Sequence, residues 1–202
     1  MAKFTSHMAQ ALAEARAAAG RGEVPVGAVI LSPQGSVVAA AGNRTRELSD
    51  PTAHAEILAL RAACAKAGTE RLPGHVLWVT LEPCPMCAAA IAAARIATLF
   101  YGADDPRMGG VAHGARVFDH PQCHHRPQIY DGIGAQAAQR LLRDFFAARP
   151  SALSHTSRSS TNSHACALSD RPRAPAPERS SISASSAASS KRTSAALSVR
   201  PS

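Results

Sequence analysis

The chain has 202 residues, with 22 Lys and Arg against 14 Asp and Glu, for a formal net charge of +8. That length suffices for one domain with a sizeable core, and no run is long and apolar enough to span a membrane. Met1 to Gln10 lacks the apolar stretch of a signal peptide, and the five cysteines show no disulfide-framework spacing, so a reducing compartment, the cytoplasm, is expected.

Taken in order, Met8, Leu12 and Ala15 to Ala19 recur at helical spacing and predict an amphipathic helix over Ser6–Ala19. Gly20 and Gly22 end it. Val24–Leu31 is a β-rich run, Pro33-Gln34-Gly35 a turn, and Ser36–Ala41 the returning strand of a hairpin. Asn43–Thr52 is a polar loop. Asp50-Pro51-Thr52 then reads as the cap of a helix over Ala53–Lys66. Val76–Leu81 is a buried strand that delivers Glu82, Pro83 and Cys84. Pro83 suits a helix start, and Ala88 to Ala94 are strong helix formers. Ala97–Tyr101 reads as a strand, Gly102–Pro127 as a long loop, and Gln128–Tyr130 as a short final strand. Ala135–Ala148 closes the domain as a helix carrying Leu141, Leu142, Phe145 and Phe146. Strands alternating with helices imply an α/β layered domain.

Composition divides the chain near Pro150. Residues 1–150 carry a net charge of +3 and the periodic apolar pattern. Residues 151–202 are Ser, Ala, Pro and Arg with no aromatic residue and a net charge of +5. Such a segment buries too little apolar surface to offset its ordering entropy, so a disordered tail is expected there. Its basicity can add non-specific attraction to RNA, although a solvated extension is the plainer reading.

The chemistry concentrates in two segments: His54-Ala55-Glu56, and Pro83-Cys84-Pro85-Met86-Cys87. His54, Cys84 and Cys87 make three zinc ligands, whereas a structural site normally has four. Three ligands leave a coordination position for water, whose pKa the ion lowers. Glu56 stands two residues from His54 and suits a proton shuttle better than a ligand. Cys84 and Cys87 share a helix face, and a helix N-terminus favours thiolate. Two helices packed side by side on one sheet face would bring His54 beside both cysteines. A redox pair would explain Cys-x-x-Cys alone, but not His-x-Glu. A structural zinc site would need Cys64, Cys123 or His75 as fourth ligand, and none shows a paired spacing.

His-x-Glu followed by Pro-Cys-x-x-Cys is the signature of the zinc nucleobase deaminases. A longer ordered series narrows the resemblance: Glu23-Val24-Pro25-Val26-Gly27-Ala28-Val29, Gly42-Asn43-Arg44, Asp50 through Ile57, Thr80 through Cys87, and Leu141-Leu142-Arg143-Asp144-Phe145-Phe146. From about Phe4 to Arg149 the chain resembles the bacterial tRNA-specific adenosine deaminases. The resemblance implies a three-layer α/β/α, cytidine-deaminase-like fold with a central mixed sheet, one Zn2+ per subunit and a homodimer. It also implies tRNA as partner, with the wobble adenosine of the anticodon loop hydrolysed to inosine. Asn43 is expected to hydrogen-bond the flipped base, with the backbone of Ala55 and Cys84 close by. Asp105 is expected at the ribose or loop backbone. His120-Pro121-Gln122-Cys123-His124-His125-Arg126 is similar to the family's His-Pro-x-x-Asn-His-Arg, with His124 where Asn is usual. His125 and Arg126 are expected phosphate contacts. Pro106-Arg107-Met108-Gly109 departs from the family's usual loop. Plainer roles stand beside each: a turn residue for Asn43, a surface acid for Asp105, a solvated loop for the histidines. The rival functions are a deaminase of free guanine, cytosine or deoxycytidylate, and a zinc-stabilised RNA-binding module without catalysis.

Overall fold

The computed structural model describes residues 5–148; the expected tail over 151–202 lies outside the described residues. The elements are α1 (Met8–Gly20), β1 (Gly27–Leu31), β2 (Val37–Gly42), α2 (Ala55–Ala67), β3 (Val76–Leu81), α3 (Pro85–Ala93), β4 (Thr98–Ala103), β5 (Gln128–Tyr130) and α4 (Ala135–Ala147), with a 3-10 turn at Val117–Asp119 before β5. The five strands form one sheet in the order β2-β1-β3-β4-β5. β1 is antiparallel to both β2 and β3, while β3, β4 and β5 run parallel. The sheet is therefore mixed, as expected. Parallel neighbours need a crossover, and α3 supplies the one between β3 and β4.

Strand alternation sends side chains to two separate cores. Ala28, Ile30, Leu77, Val79, Leu99 and Tyr101 join α2 and α3 residues on one face. Val29, Leu31 and Trp78 meet Met8, Ala11, Leu12 and Ala138 on the other, under α1 and α4. This is the three-layer α/β/α arrangement. It explains why β1, Gly-Ala-Val-Ile-Leu, is apolar without alternation: both of its faces are covered.

Helix α1 packs its backbone directly against two glycines of the sheet. Gly27 pairs with Gly42 across β1 and β2. A Cβ on Gly27 would collide with the Ala11 carbonyl, and one on Gly42 would lie 2.6 Å from the Glu14 carbonyl oxygen. The glycine pair is thus a shelf for helix backbone. It also brings the end of β2, and Asn43 after it, close under the helix layer.

Three helices begin two residues later than the sequence predicts: α1 at Met8 instead of Ser6, and α2 and α3 in ways that shape the site. Asp50 Oδ1 accepts the Thr52 N–H at 2.8 Å and its hydroxyl at 2.7 Å, and Ala53 N–H donates to the Asp50 carbonyl at 3.1 Å. That makes a self-contained turn, so α2 starts at Ala55 instead of Ala53. α3 likewise starts at Pro85, not Pro83, with Pro at the first helical position where no N–H is missed. The expected strand from Val24 is also shortened, because Val26 N–H turns back to the Val24 carbonyl at 2.8 Å. Among the described residues no helix is long and apolar enough to cross a membrane.

Candidate active site

The later helix starts have a common consequence: His54 and Cys84 become the N-cap residues of α2 and α3. Both have extended backbone, with ψ of 153° and 169°, so each side chain projects from a helix mouth instead of along its flank. Cys87 follows one turn into α3 and is fully buried. α2 and α3 lie on the same sheet face, so the three side chains converge. Cys84 Sγ is 3.7 Å and Cys87 Sγ 3.5 Å from His54 Nδ1.

These separations test whether the donors fit zinc. With bond lengths of about 2.3 Å to sulfur and about 2.0 Å to nitrogen, the sulfur–nitrogen edge of a zinc tetrahedron is about 3.5 Å. The observed edges match it. Among the described residues only these three form the group, so Cys64, Cys123 and His75 do not supply a fourth ligand. His75 instead turns its Nδ1 to the Pro73 carbonyl at 3.2 Å.

The charge state also suits a cation. Hydrogen bonds from Cys87 and then His54, acting against burial, bring the Cys84 thiol down to about 4, so it is a thiolate. That thiolate, together with burial, drives the Cys87 thiol far up. The bond to Cys84 raises His54 in turn. Two crowded thiols and an imidazole thus share protons that a divalent ion would replace. Glu56 stands in the same cluster, 3 % exposed and beside Cys87. Burial pushes its carboxyl up to about 7, a range suited to taking and returning a proton near neutrality.

Asn43 and Ala55 belong to this cluster as well. Asn43 is buried, and its Oδ1 accepts the Ala55 N–H at 2.8 Å. The amide therefore ties the end of β2 to the first residue of α2, and a base reaching for that N–H has to share it. Asp105 is drawn in less directly. Its Oδ1 accepts the N–H groups of Arg107 and Met108 at 3.1 and 3.0 Å, closing its own turn. His125 and Arg126 stand apart, beyond the far end of α3 from Cys84. His125 Nε2 is 2.6 Å from the Ile96 carbonyl, and Arg126 pairs with Asp119 at 2.8 Å, which Arg116 grips from the other side. Arg95 donates to the His124 carbonyl at 2.7 Å, so the residue that replaces the usual Asn is held by its backbone.

Two buried acids escaped the sequence reading. Glu23, 1 % exposed, accepts the N–H groups of Arg46 and Glu47, both at 2.9 Å, and the Thr45 hydroxyl at 3.1 Å. It anchors the loop between Asn43 and Thr52. Burial alone would raise its carboxyl, but these bonds hold it below the usual range. Glu82, 2 % exposed, accepts N–H groups of Asp105, Val111, Ala112 and His113 and the His113 Nδ1–H. Burial is again the largest influence, and the donors again win, leaving it lowered. Glu82, Asp104 and His113 lie close enough to suggest a cation site. With five donors on about four lone-pair positions, however, the Glu82 carboxylate has none to give a metal. The available signal was an acid directly following an apolar strand run, where burial is the expectation.

Comparison with known proteins places this geometry. Residues 1–103 match the model of the cytidine and deoxycytidylate deaminase zinc-binding region. A tRNA-specific adenosine deaminase of Agrobacterium fabrum (strain C58 / ATCC 33970) is 56% identical over 146 residues, 72% of this chain and 95% of that protein. A solved structure from work on A-to-I editing by tRNA:A34 deaminases at the wobble position of transfer RNA is 54% identical with a TM-score of 0.67. It covers 68% of this chain and 100% of its own. A guanine deaminase from Nitrosomonas europaea is 26% identical with a TM-score of 0.62, over 73% of this chain and 86% of its own.

Removing the Glu23 carboxylate leaves two backbone N–H groups and a hydroxyl without their acceptor. Glu23→Ala is expected to lower unfolding free energy by about 2–4 kcal/mol, read from a urea midpoint. A loss no larger than that of Arg16→Ala, at an exposed position of α1, would show that the loop does not depend on it.

Proposed function

Because the chain belongs to the zinc-binding cytidine and deoxycytidylate deaminase family, and matches tRNA-specific adenosine deaminases over nearly their whole length, we propose that it hydrolyses the wobble adenosine, position 34, of a tRNA to inosine. The observation that carries the reading is the 54% identity spread over 100% of a tRNA:A34 deaminase, against 26% for the guanine deaminase. Its cytoplasmic setting follows from that substrate.

The reaction consumes water and releases ammonia. His54, Cys84 and Cys87 would hold one zinc, which when bound supplies a Lewis acid that makes water nucleophilic near neutral pH. Glu56 takes the water's proton on a carboxylate oxygen. It returns that proton to the ring nitrogen beside the reacting carbon, and a later one to the departing amine. A carboxyl buried among the ligands can do both without exchanging protons with solvent. Asn43 fixes the α2 mouth through Ala55, and its NH2 group is left to meet an acceptor on the purine edge. The adenosine reaches these groups by leaving the base stack, as a loop nucleotide can do at small cost. Asp105, His125 and Arg126 would guide the RNA backbone; for Arg126 this means exchanging Asp119 for phosphate.

A homodimer fits the outer face of α3. Met86, Ala89, Ala90 and Ala93 are turned at least partly outward there, and the helix carries no charged residue. Apolar grooves run along both sides, one lined by Ile57, Leu60 and Cys64, the other by Val117 and Cys123. A helix apolar all round is normally buried, which a second copy would achieve.

Two outcomes are expected. Zinc-loaded protein forms inosine at the wobble position of an anticodon stem-loop, and Glu56→Ala lowers the rate on the order of 100- to 10,000-fold while zinc and RNA binding persist. Ammonia from free guanine with no inosine in the stem-loop would move the substrate to the small-molecule class, and unchanged turnover in Glu56→Ala would remove the shuttle. Separately, sedimentation at micromolar concentration should give twice the chain mass, with Ala89→Arg shifting it to monomer. A wild-type monomer would contradict the dimer.

A further inference from the structure

Strand β3 ends at Leu81, and the next residue continues the parallel ladder, with Glu82 N–H donating to the Ala103 carbonyl at 2.8 Å. From there the two chains separate. One goes to Cys84 and the metal group; the other enters the loop 104–113. The Glu82 side chain rejoins them. Every donor to its carboxylate comes from that loop: Asp105 N–H at 3.0 Å and His113 Nδ1 at 2.7 Å on Oε2, and the consecutive N–H groups of Val111, Ala112 and His113 at 3.1, 2.9 and 3.0 Å on Oε1. Three successive amides aimed at one oxygen form a nest for an anion.

Two glycines press the loop down onto this anchor. A Cβ on Gly109 would lie 2.5 Å from both the Glu82 carboxyl carbon and Oε1. A Cβ on Gly110 would lie 2.6 Å from Pro85 N and 2.9 Å from the Cys84 carbonyl carbon. Gly110 N–H also donates to the Pro83 carbonyl at 2.9 Å. The loop therefore rests on the peptide that carries a metal ligand. Between its two ends Arg107 and Met108 project into solvent, Met108 being 66 % exposed, on a turn closed by Asp105. A guanidinium and a pliable apolar side chain are groups that meet phosphate and a base face.

We propose that Glu82 is a positioning residue for the RNA substrate: it mounts the loop 104–113 on the Cys84–Pro85 peptide and so sets the distance between the loop's RNA contacts and the reacting base. This rests on the deaminase reading above. An acid is needed because all five partners donate. Glutamine has the same shape, but its NH2 group would face either the Asp105 N–H or the amide nest. Asp105 is then placed twice over, by its own N–H on Glu82 and by the turn it closes.

The test is Glu82→Gln in the full chain, with inosine kinetics on an anticodon stem-loop, zinc per chain, and amide exchange read residue by residue. Exchange at Asp105, Val111, Ala112 and His113 should quicken, and KM should rise about tenfold or more, the size expected when one or two buried N–H donors lose their acceptor. kcat should stay within about threefold, since an interaction made equally in ground and transition states acts on KM alone. Zinc content should not change. Gly109→Ala, which pushes the loop off an intact Glu82, should give the same split and serves if Glu82→Gln does not fold. An unchanged KM in either folded variant, or a fall in kcat and zinc content with KM unchanged, would overturn the proposal. Wild-type protein that forms no inosine would defeat the deaminase reading alone, and the exchange pattern would still decide whether Glu82 holds the loop.

Discussion

The arrangement depends on two helix mouths being held side by side. Each contributes its N-cap residue to the three-donor cluster that could hold a metal, His54 from α2 and Cys84 from α3. The partial positive charge at a helix N-terminus favours thiolate over thiol, and the first-turn N–H groups lack partners of their own. Two such ends brought together on one sheet face make a place where negative ligands are stable and a cation is still required. The sheet order fixes this juxtaposition: β1 and β3 are neighbours, and the helices that follow β2 and β3 lie over them on one face.

A second constraint is buried charge. Glu23 and Glu82 are nearly inaccessible carboxylates, and each is compensated by hydrogen-bond donors from a single loop. A buried anion left unpaired is costly, so the loop that satisfies it is strongly specified. Glu23 sets the loop after Asn43, and Glu82 sets the loop through Asp105. The two loops thereby become rigid extensions of the sheet at the site. Such loops suit an enzyme that must admit one extruded nucleotide of a large molecule.

Much of this was legible in the sequence. His-x-Glu and Pro-Cys-x-x-Cys point to the proposed ligands and the proposed shuttle because their spacing has few other uses, and the strand and helix periodicities place them on one α/β domain. The α2 start falls two residues after the predicted one because Asp50 and Thr52 turn their side chains to each other, not to the helix that follows. The roles of Glu23 and Glu82 were hidden because each is a lone acid whose partners lie more than twenty residues away in sequence, and backbone donors leave no mark on composition. Asn43 was legible as a polar residue with a purpose, but its bond to Ala55 depends on how β2 meets α2. The segment through His125 and Arg126 resembled an RNA contact, and its own internal bonds to Ile96 and Asp119 could not be read from residue types.

The paired helix mouths are proposed to build a three-ligand zinc centre with one position left for solvent. X-ray absorption at the zinc edge of the protein as purified tests it most directly. Two sulfur neighbours are expected at about 2.3 Å and two nitrogen or oxygen neighbours at about 2.0 Å, one more light atom than His54 supplies. A third sulfur neighbour, or the same shell after Cys87→Ser, would contradict it.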